Sequence, residues 1–342
     1  MLIKKIGIAA ALTLCAVGAM ASNFRAADQV YLAVAGKVAG GSGTFISDVF
    51  IANLSTDSVQ VSVLYSATPS GSDNPSGGKG LEHKNVISLA PGERKTYVDF
   101  FPTVLNRPTG FGQLIFNACL ANADCGPATQ NSSGYSPNFR NISVQSRIYS
   151  IPPGTTLDQK PATTGQLFSG IPWYNFASSL QADNKLQRVF ISGLTQNGTV
   201  GQAGTYRANI GAANASQFST TDIVFRLYAG NAPGTQIAES VQTLAPLGHN
   251  QWNFTVLFPG QTGSNFFVTV EQRNNLATSD APTGCVEGCP AFIAYGSILD
   301  NVSGDATTLE PQYEIPLSDA AVAAIYPAGS GKGAIRRSVT RR

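Results

Sequence analysis

His83 and His249 are the only imidazoles in a chain of 342 residues, so acid–base and zinc chemistry have few places to reside. No His-Glu-x-x-His or His-x-His spacing occurs, and a hydrolytic zinc would lack its usual ligands. A serine nucleophile needs a Gly-x-Ser-x-Gly elbow. Gly40-Gly41-Ser42-Gly43 is the nearest approach, and it better suits the flexible entry to a strand. Both histidines are therefore expected at the surface. Asp300-Asn301-Val302-Ser303-Gly304-Asp305 offers Asp300 and Asp305 as oxygen ligands for calcium. It lacks the distal Glu of an EF-hand, so a plain turn is the favoured reading. Gly329-Ser330-Gly331-Lys332-Gly333 lacks the spacing and the Ser/Thr of a phosphate loop. Two carboxylates converging in space would suffice for a glycoside hydrolase and leave no spacing to read, so that class stays open behind two binding readings. The chain is expected to be no enzyme, with no cofactor and no metal.

Five cysteines remain to be placed. Cys15 falls in the N-terminal leader, and the other four form two close pairs, Cys119 with Cys125 and Cys285 with Cys289. In an oxidising compartment these read as local disulfides. Each would close a tiny loop, contributing about 2 kcal/mol by chain entropy, so they pin loop tips and do not hold domains together. A four-cysteine zinc site is the alternative, and its spacing is too wide for the usual structural pattern.

Lys4 and Lys5, an apolar run from Ile6 to Val17 and Ala19-Met20-Ala21 make residues 1–21 a secretory signal cut before Ser22. The run is short of the roughly 20 residues that a bilayer core needs, so no transmembrane segment is expected after cleavage. Only 12% of residues are charged, about half the usual share. Five of the cations (Lys332, Arg336, Arg337, Arg341, Arg342) crowd the C-terminus, leaving residues 22–331 with 15 basic against 20 acidic groups. That balance argues against nucleic acid as a partner. The basic tail is read as a frayed end, with docking on an anionic surface as its other use.

Helical periodicity is scarce in the mature chain, whereas short alternating runs of Val, Ile, Phe, Tyr and Thr recur between Gly, Pro, Asn and Ser. Strands are expected near 29–35, 44–53, 58–66, 84–90, 93–101, 111–119 and 140–151. A second set is expected near 187–194, 204–215, 220–230, 237–245, 249–258, 264–273 and 290–300. The two sets echo each other. Gly43-Thr44-Phe45 to Asn53 returns as Gly204-Thr205-Tyr206 to Asn214. Leu89-Ala90-Pro91-Gly92 leading to Phe100-Phe101-Pro102 returns as Leu244-Ala245-Pro246-Leu247-Gly248 leading to Leu257-Phe258-Pro259. Landmarks in the same order indicate an internal duplication. Seven strands per unit is the count of an immunoglobulin-like sandwich. The reading is all-β, with two tandem immunoglobulin-like β-sandwich domains after the signal peptide. Domain 1 spans 28–151, an irregular connector 152–185, domain 2 186–310, and a C-terminal segment 311–342 with a short helix over 318–326 and the basic tail. Leu247 interrupts the Pro-Gly pair of the second turn, so that turn is expected to differ.

Ser66 to Gly80 is a Gly/Ser/Pro tract that reads as a mobile loop. Ile171-Pro172-Trp173-Tyr174-Asn175-Phe176 is the densest aromatic patch and is placed at the inter-domain seam, with a sugar platform as the competing use. Asn-x-Ser/Thr sequons stand at Asn53, Asn131, Asn141, Asn197, Asn214, Asn253 and Asn301.

The progression Gly43-Thr44-Phe45, Ile51-Ala52-Asn53, Leu89-Ala90-Pro91-Gly92, Asp99-Phe100-Phe101, closing on Ser297-Ile298-Leu299-Asp300-Asn301, resembles secreted bacterial proteins built from tandem Ig-like repeats. The resemblance implies a periplasmic or extracellular surface role and no activity. The expected function is a secreted or envelope-associated structural or adhesive module, presenting the loops at 66–83, 119–125 and 285–289 to a protein or polysaccharide at the cell surface. The alternative is a polysaccharide-binding module using Trp173, Tyr174 and Trp252.

Overall fold

A computed structural model describes residues 26–40, 43–68, 82–121, 139–157, 165–172, 175–177, 188–215, 220–230, 234–273 and 291–313. The leader, most of the Gly/Ser/Pro tract, Cys125, Cys285, Cys289, Trp173, Tyr174, the 318–326 helix and the basic tail lie outside them. Among the described residues the chain is nearly all antiparallel β-structure, and no helix is long and apolar enough to cross a membrane.

The first repeat holds β1 (Gln29–Gly40), β2 (Gly43–Asn53), β3 (Val59–Ala67), β4 (Glu82–Leu89), β5 (Arg94–Tyr97), the short helix α1 (Phe100–Thr103), β6 (Gly110–Leu120), β7 (Ile142–Ile151), β8 (Gly165–Ser169) and β9 (Ile171–Pro172). The second holds β10 (Val189–Gln196), β11 (Tyr206–Asn214), β12 (Thr221–Ala229), β13 (Gln236–Leu244), β14 (His249–Asn253), the short helix α2 (Phe254–Leu257), β15 (Gly263–Arg273), β16 (Phe292–Asp300), β17 (Ala306–Leu309) and β18 (Gln312–Tyr313).

Strand order carries the duplication into three dimensions. The second repeat forms two sheets, β13-β12-β15-β10-β18 and β14-β11-β16-β17. The first has the same neighbours, β4-β3-β6-β1-β9 and β5-β2-β7-β8, element for element. There β1 joins both layers. Residues up to Lys37 pair with β6, and Val38 to Gly40 pair with β2. The second strand beside the fifth and the third beside the sixth are immunoglobulin pairings. The edges differ, because β1 lies on β6 and β7 on β2, whereas the immunoglobulin order sets the first strand on the second and the last on the sixth. This is the order of a jelly roll without its opening strand, whose edge place β8 takes.

Two local expectations are corrected. Phe100-Phe101 and Phe254 to Leu257, expected as strand, lie in the single helical turns Phe100–Thr103 and Phe254–Leu257. They fall where the chain leaves one sheet for the other, and the turn lets Phe100 and Phe101, or Phe254 and Leu257, point into the gap between the layers. The connector, expected to be irregular, contributes β8 and β9 to the first repeat, and Gln312–Tyr313 adds β18 to the second. Their short runs gave too few residues for a period to be read.

The core of the first repeat does not end at its own boundary. Its contiguous buried cluster, built on Tyr31, Phe100, Phe101 and Phe116, takes in Ala213, Leu247, Ile293 and Tyr295 from the second repeat. Apolar burial is roughly proportional to stabilisation, so a core shared across the seam fuses the repeats into one body. Adjacent residues of the connector reach both repeats: Phe176 meets Tyr31 edge-on at 4.6 Å, while Ala177 and Phe292 exchange backbone hydrogen bonds of 3.1 and 2.8 Å.

Candidate functional site

The seam starts from a turn. Ala90-Pro91-Gly92-Glu93 closes with the Glu93 amide on the Ala90 carbonyl at 3.0 Å, and Gly92 takes φ 69°. In the second repeat the Gly248 amide closes on the Ala245 carbonyl at 2.8 Å, and Leu247 takes the glycine's place at φ 52°. The turn is therefore the same, and a residue with a side chain is held in the left-handed region. What offsets this strain is across the seam. The Leu247 side chain is buried in the first repeat's core, and its carbonyl accepts from Ser66 Oγ at 2.6 Å and Gln113 Nε2 at 3.1 Å.

His249 follows two residues on, at the start of β14, and it is fully buried, which corrects the expected surface position. Its Nδ1 lies 3.0 Å from Thr68 Oγ1 of the first repeat and its Nε2 2.9 Å from the Tyr295 hydroxyl. A neutral imidazole presents one donor and one acceptor, and with the Tyr295 proton given to Gln251 the ring donates from Nε2 to Tyr295 and presents Nδ1 as acceptor to Thr68. Burial drives its pKa from 6.5 down to about 3, so the ring is neutral in the folded protein. The same burial pushes the Tyr295 hydroxyl well above its ordinary range. Tyr295 also donates to Gln251 Oε1 at 3.1 Å, stacks parallel to His249, and meets Phe168 of β8 edge-on at 5.4 Å. Its ring crosses Gly211, where an added Cβ would lie 2.1 Å from it, so only glycine fits that position of β11. His83 belongs to β4, in register with Leu64 of β3.

Beside the network the seam opens into a cleft of about 570 Å³, within the roughly 300–1,000 Å³ range of small-molecule sites. The wall from the first repeat is apolar and aromatic, with Val34, Phe45, Phe111, Ile148 and Phe168. The wall from the second repeat carries the polar side chains of Arg207, Asn209, Gln251 and Ser297 beside Leu299 and Ala306. Gln166, Thr68, Thr109 and Lys37 also line it, and among the described residues no carboxylate does. Pleating produces the polar wall: Ala208, Ile210 and Ala212 of β11 point into the second core, so Arg207 and Asn209 point out toward the cleft. Asn209 sits opposite Ser297 in the β11–β16 register. Lys37 is paired with Asp99. Arg207 gives one NH to Asn301 Oδ1 at 3.0 Å, and among the described residues no carboxylate pairs with it.

The residues singled out from sequence fare differently. Trp252 is 8% exposed and packs edge-on against Phe225 in the second core, so it offers no face to a sugar, which corrects that expectation. The pleat that turns Gln251 toward the cleft turns Trp252 away from it. Trp173 and Tyr174 lie outside the described residues, while their neighbours Ile171 and Phe176 are buried. Cys119 is buried near the end of β6. Asp300 is engaged in its own turn: its Oδ1 accepts from the amides of Val302 and Ser303 and from Ser303 Oγ, and the Ser303 amide chiefly holds its pKa low. The Asp305 amide is tied to Ser303 Oγ at 3.1 Å. Asn53, Asn214 and Asn301 are buried, which removes them as glycan acceptors.

No family model matches the chain, and no match is found among curated proteins. Among solved structures it is similar to the exported protein XepA of PBSX, at 10% identity and TM-score 0.21, covering 73% of this chain and 84% of that one. Broad Bean Stain Virus gives 10% identity and TM-score 0.22, covering 85% and 90%. A Pleurotus ostreatus lectin solved with GalNAc gives 10% and 0.19, covering 84% and 76%. Likenesses this distant carry no inference about function.

Proposed function

We propose that the protein is a secreted or envelope-associated, non-catalytic binding module. In this reading two tandem sandwich units, immunoglobulin-like in their central strand pairs, act as one stiff adhesive scaffold that holds loops and cleft toward a surface partner. The observation that carries it is the seam: Leu247, His249 and Tyr295 lock the repeats through a shared core, and preorganised groups bind without first being ordered. The absence of carboxylates from the cleft lining favours binding over glycoside hydrolysis. Between a protein partner and a polysaccharide, an aromatic wall facing an amide wall favours the saccharide, through residues other than Trp252.

The experiment pairs surface glycans and envelope proteins, immobilised, with turnover assays on chromogenic glycosides and esters. Binding without turnover is the expected result. Turnover abolished by one carboxylate substitution overturns the reading.

A further inference from the structure

We infer that the seam cleft is a saccharide site and that Arg207 selects a carboxylate-bearing sugar; this rests on the binding-module reading above. Sugars present an apolar C–H face and a rim of hydroxyls, and the cleft offers one wall for each. Phe45, Phe111 and Phe168 provide ring surface. Opposite them, Asn209 and Ser297 face each other across β11 and β16, and among the described residues neither side chain has a hydrogen-bond partner. Ser297 is 2% exposed and lines the cleft, so its hydroxyl is held in place there for a ligand to reach. Gln166 and Gln251 each spend their oxygen on a protein hydroxyl, which leaves their NH₂ groups for acceptors. Lys37 is already neutralised by Asp99, whereas among the described residues Arg207 has the neutral Asn301 as its direct partner. Asp300 lies close enough to feel Arg207, but its carboxylate is occupied by turn amides. A planar guanidinium matches a sugar carboxylate with paired bonds.

The test measures binding of neutral and uronate-bearing oligosaccharides by calorimetry, on the full mature chain and on Arg207→Met, Asn209→Ala and Thr109→Trp. Thermal melts confirm that each variant is folded. Thr109 is exposed at the rim, so Trp blocks the entrance without touching either core. Uronate-bearing ligands should bind best. Arg207→Met should weaken them about tenfold or more while sparing neutral ones, and Asn209→Ala should weaken both by about tenfold. Thr109→Trp should abolish binding. Glycan binding that ignores all three variants overturns the site and leaves the binding-module reading standing. Equal loss of neutral and acidic ligands in Arg207→Met overturns the selectivity. Failure to bind any glycan, with a protein partner captured instead, overturns the saccharide class altogether.

Discussion

Asn53 donates its side-chain amide to the carbonyl of Ala90 at 2.9 Å, and Asn214 makes the same bond to Ala245 at 2.9 Å in the second repeat. Each Asn also reaches the preceding Leu carbonyl, Leu89 or Leu244, at 3.4 and 3.3 Å. The two sequence landmarks that mark the duplication are thus the halves of one contact. A buried Asn at the end of a strand secures the Leu-Ala-Pro turn that leads into the next.

Replacing either Asn with Ala removes two side-chain bonds from the turn and leaves the Ala carbonyl to its turn amide alone. Each variant should lose about 1–3 kcal/mol, read from urea denaturation, with Asn53→Ala and Asn214→Ala alike in sign. Loss in only one repeat would show that the shared contact does not have a shared role.

Leu247 and Gly92 form a matched pair of turn positions with opposite consequences. Gly92→Leu should cost about 1–2 kcal/mol from backbone strain alone, since an added Cβ there meets nothing within 4 Å. Leu247→Gly regains that strain but gives up a buried side chain worth about 2–5 kcal/mol, so it should be net destabilising. Its loss falls on the seam, and calorimetry should resolve the single transition into two. A more stable Leu247→Gly variant would refute the docking role.

The seam should also be acid-sensitive through His249. Below pH 6.5 the unfolded chain binds a proton that the folded ring, held down to about 3, refuses. His249 therefore contributes its full stabilisation above pH 6.5 and loses it as the pH falls. The slope approaches about 1.4 kcal/mol per pH unit in that window. His249→Gln should be less stable at neutral pH yet flatter between pH about 7 and 5, where carboxylates titrate little. Equal slopes in urea midpoints for both proteins would exclude His249 as the sensor.

Peptide mapping without reduction should find Cys119 joined to Cys125 and Cys285 to Cys289, and N-terminal sequencing of the protein from its host should begin at Ser22. Bridges between the repeats would contradict two separately stapled units.

Much of the architecture was legible because it is local. Alternation in Val59-Gln60-Val61-Ser62-Val63 needs only the period of a strand, and β3 follows it. The repeated Gly, Asn and Leu-Ala-Pro positions foretold matching units, and the strand orders match. The misses are equally physical. Phe100-Phe101 reads as strand because aromatics favour strands, while the crossing between layers imposes a helical turn. Trp252 looked available because composition cannot say which side of β14 faces outward; the pleat buries it and turns its neighbour Gln251 to the cleft.

The sequence by itself determined the all-β character, the duplication and the scarcity of histidine, since these depend on residue type, period and order. Only the tertiary structure decided the site. Arg207, Asn209 and Ser297 carry no motif among themselves, and they meet Phe45, Phe111 and Phe168 because the two repeats pack through a shared core that includes Leu247, Ile293 and Tyr295. A cleft between two bodies depends on how their surfaces pack, and residues that approach across a seam need no fixed spacing along the chain.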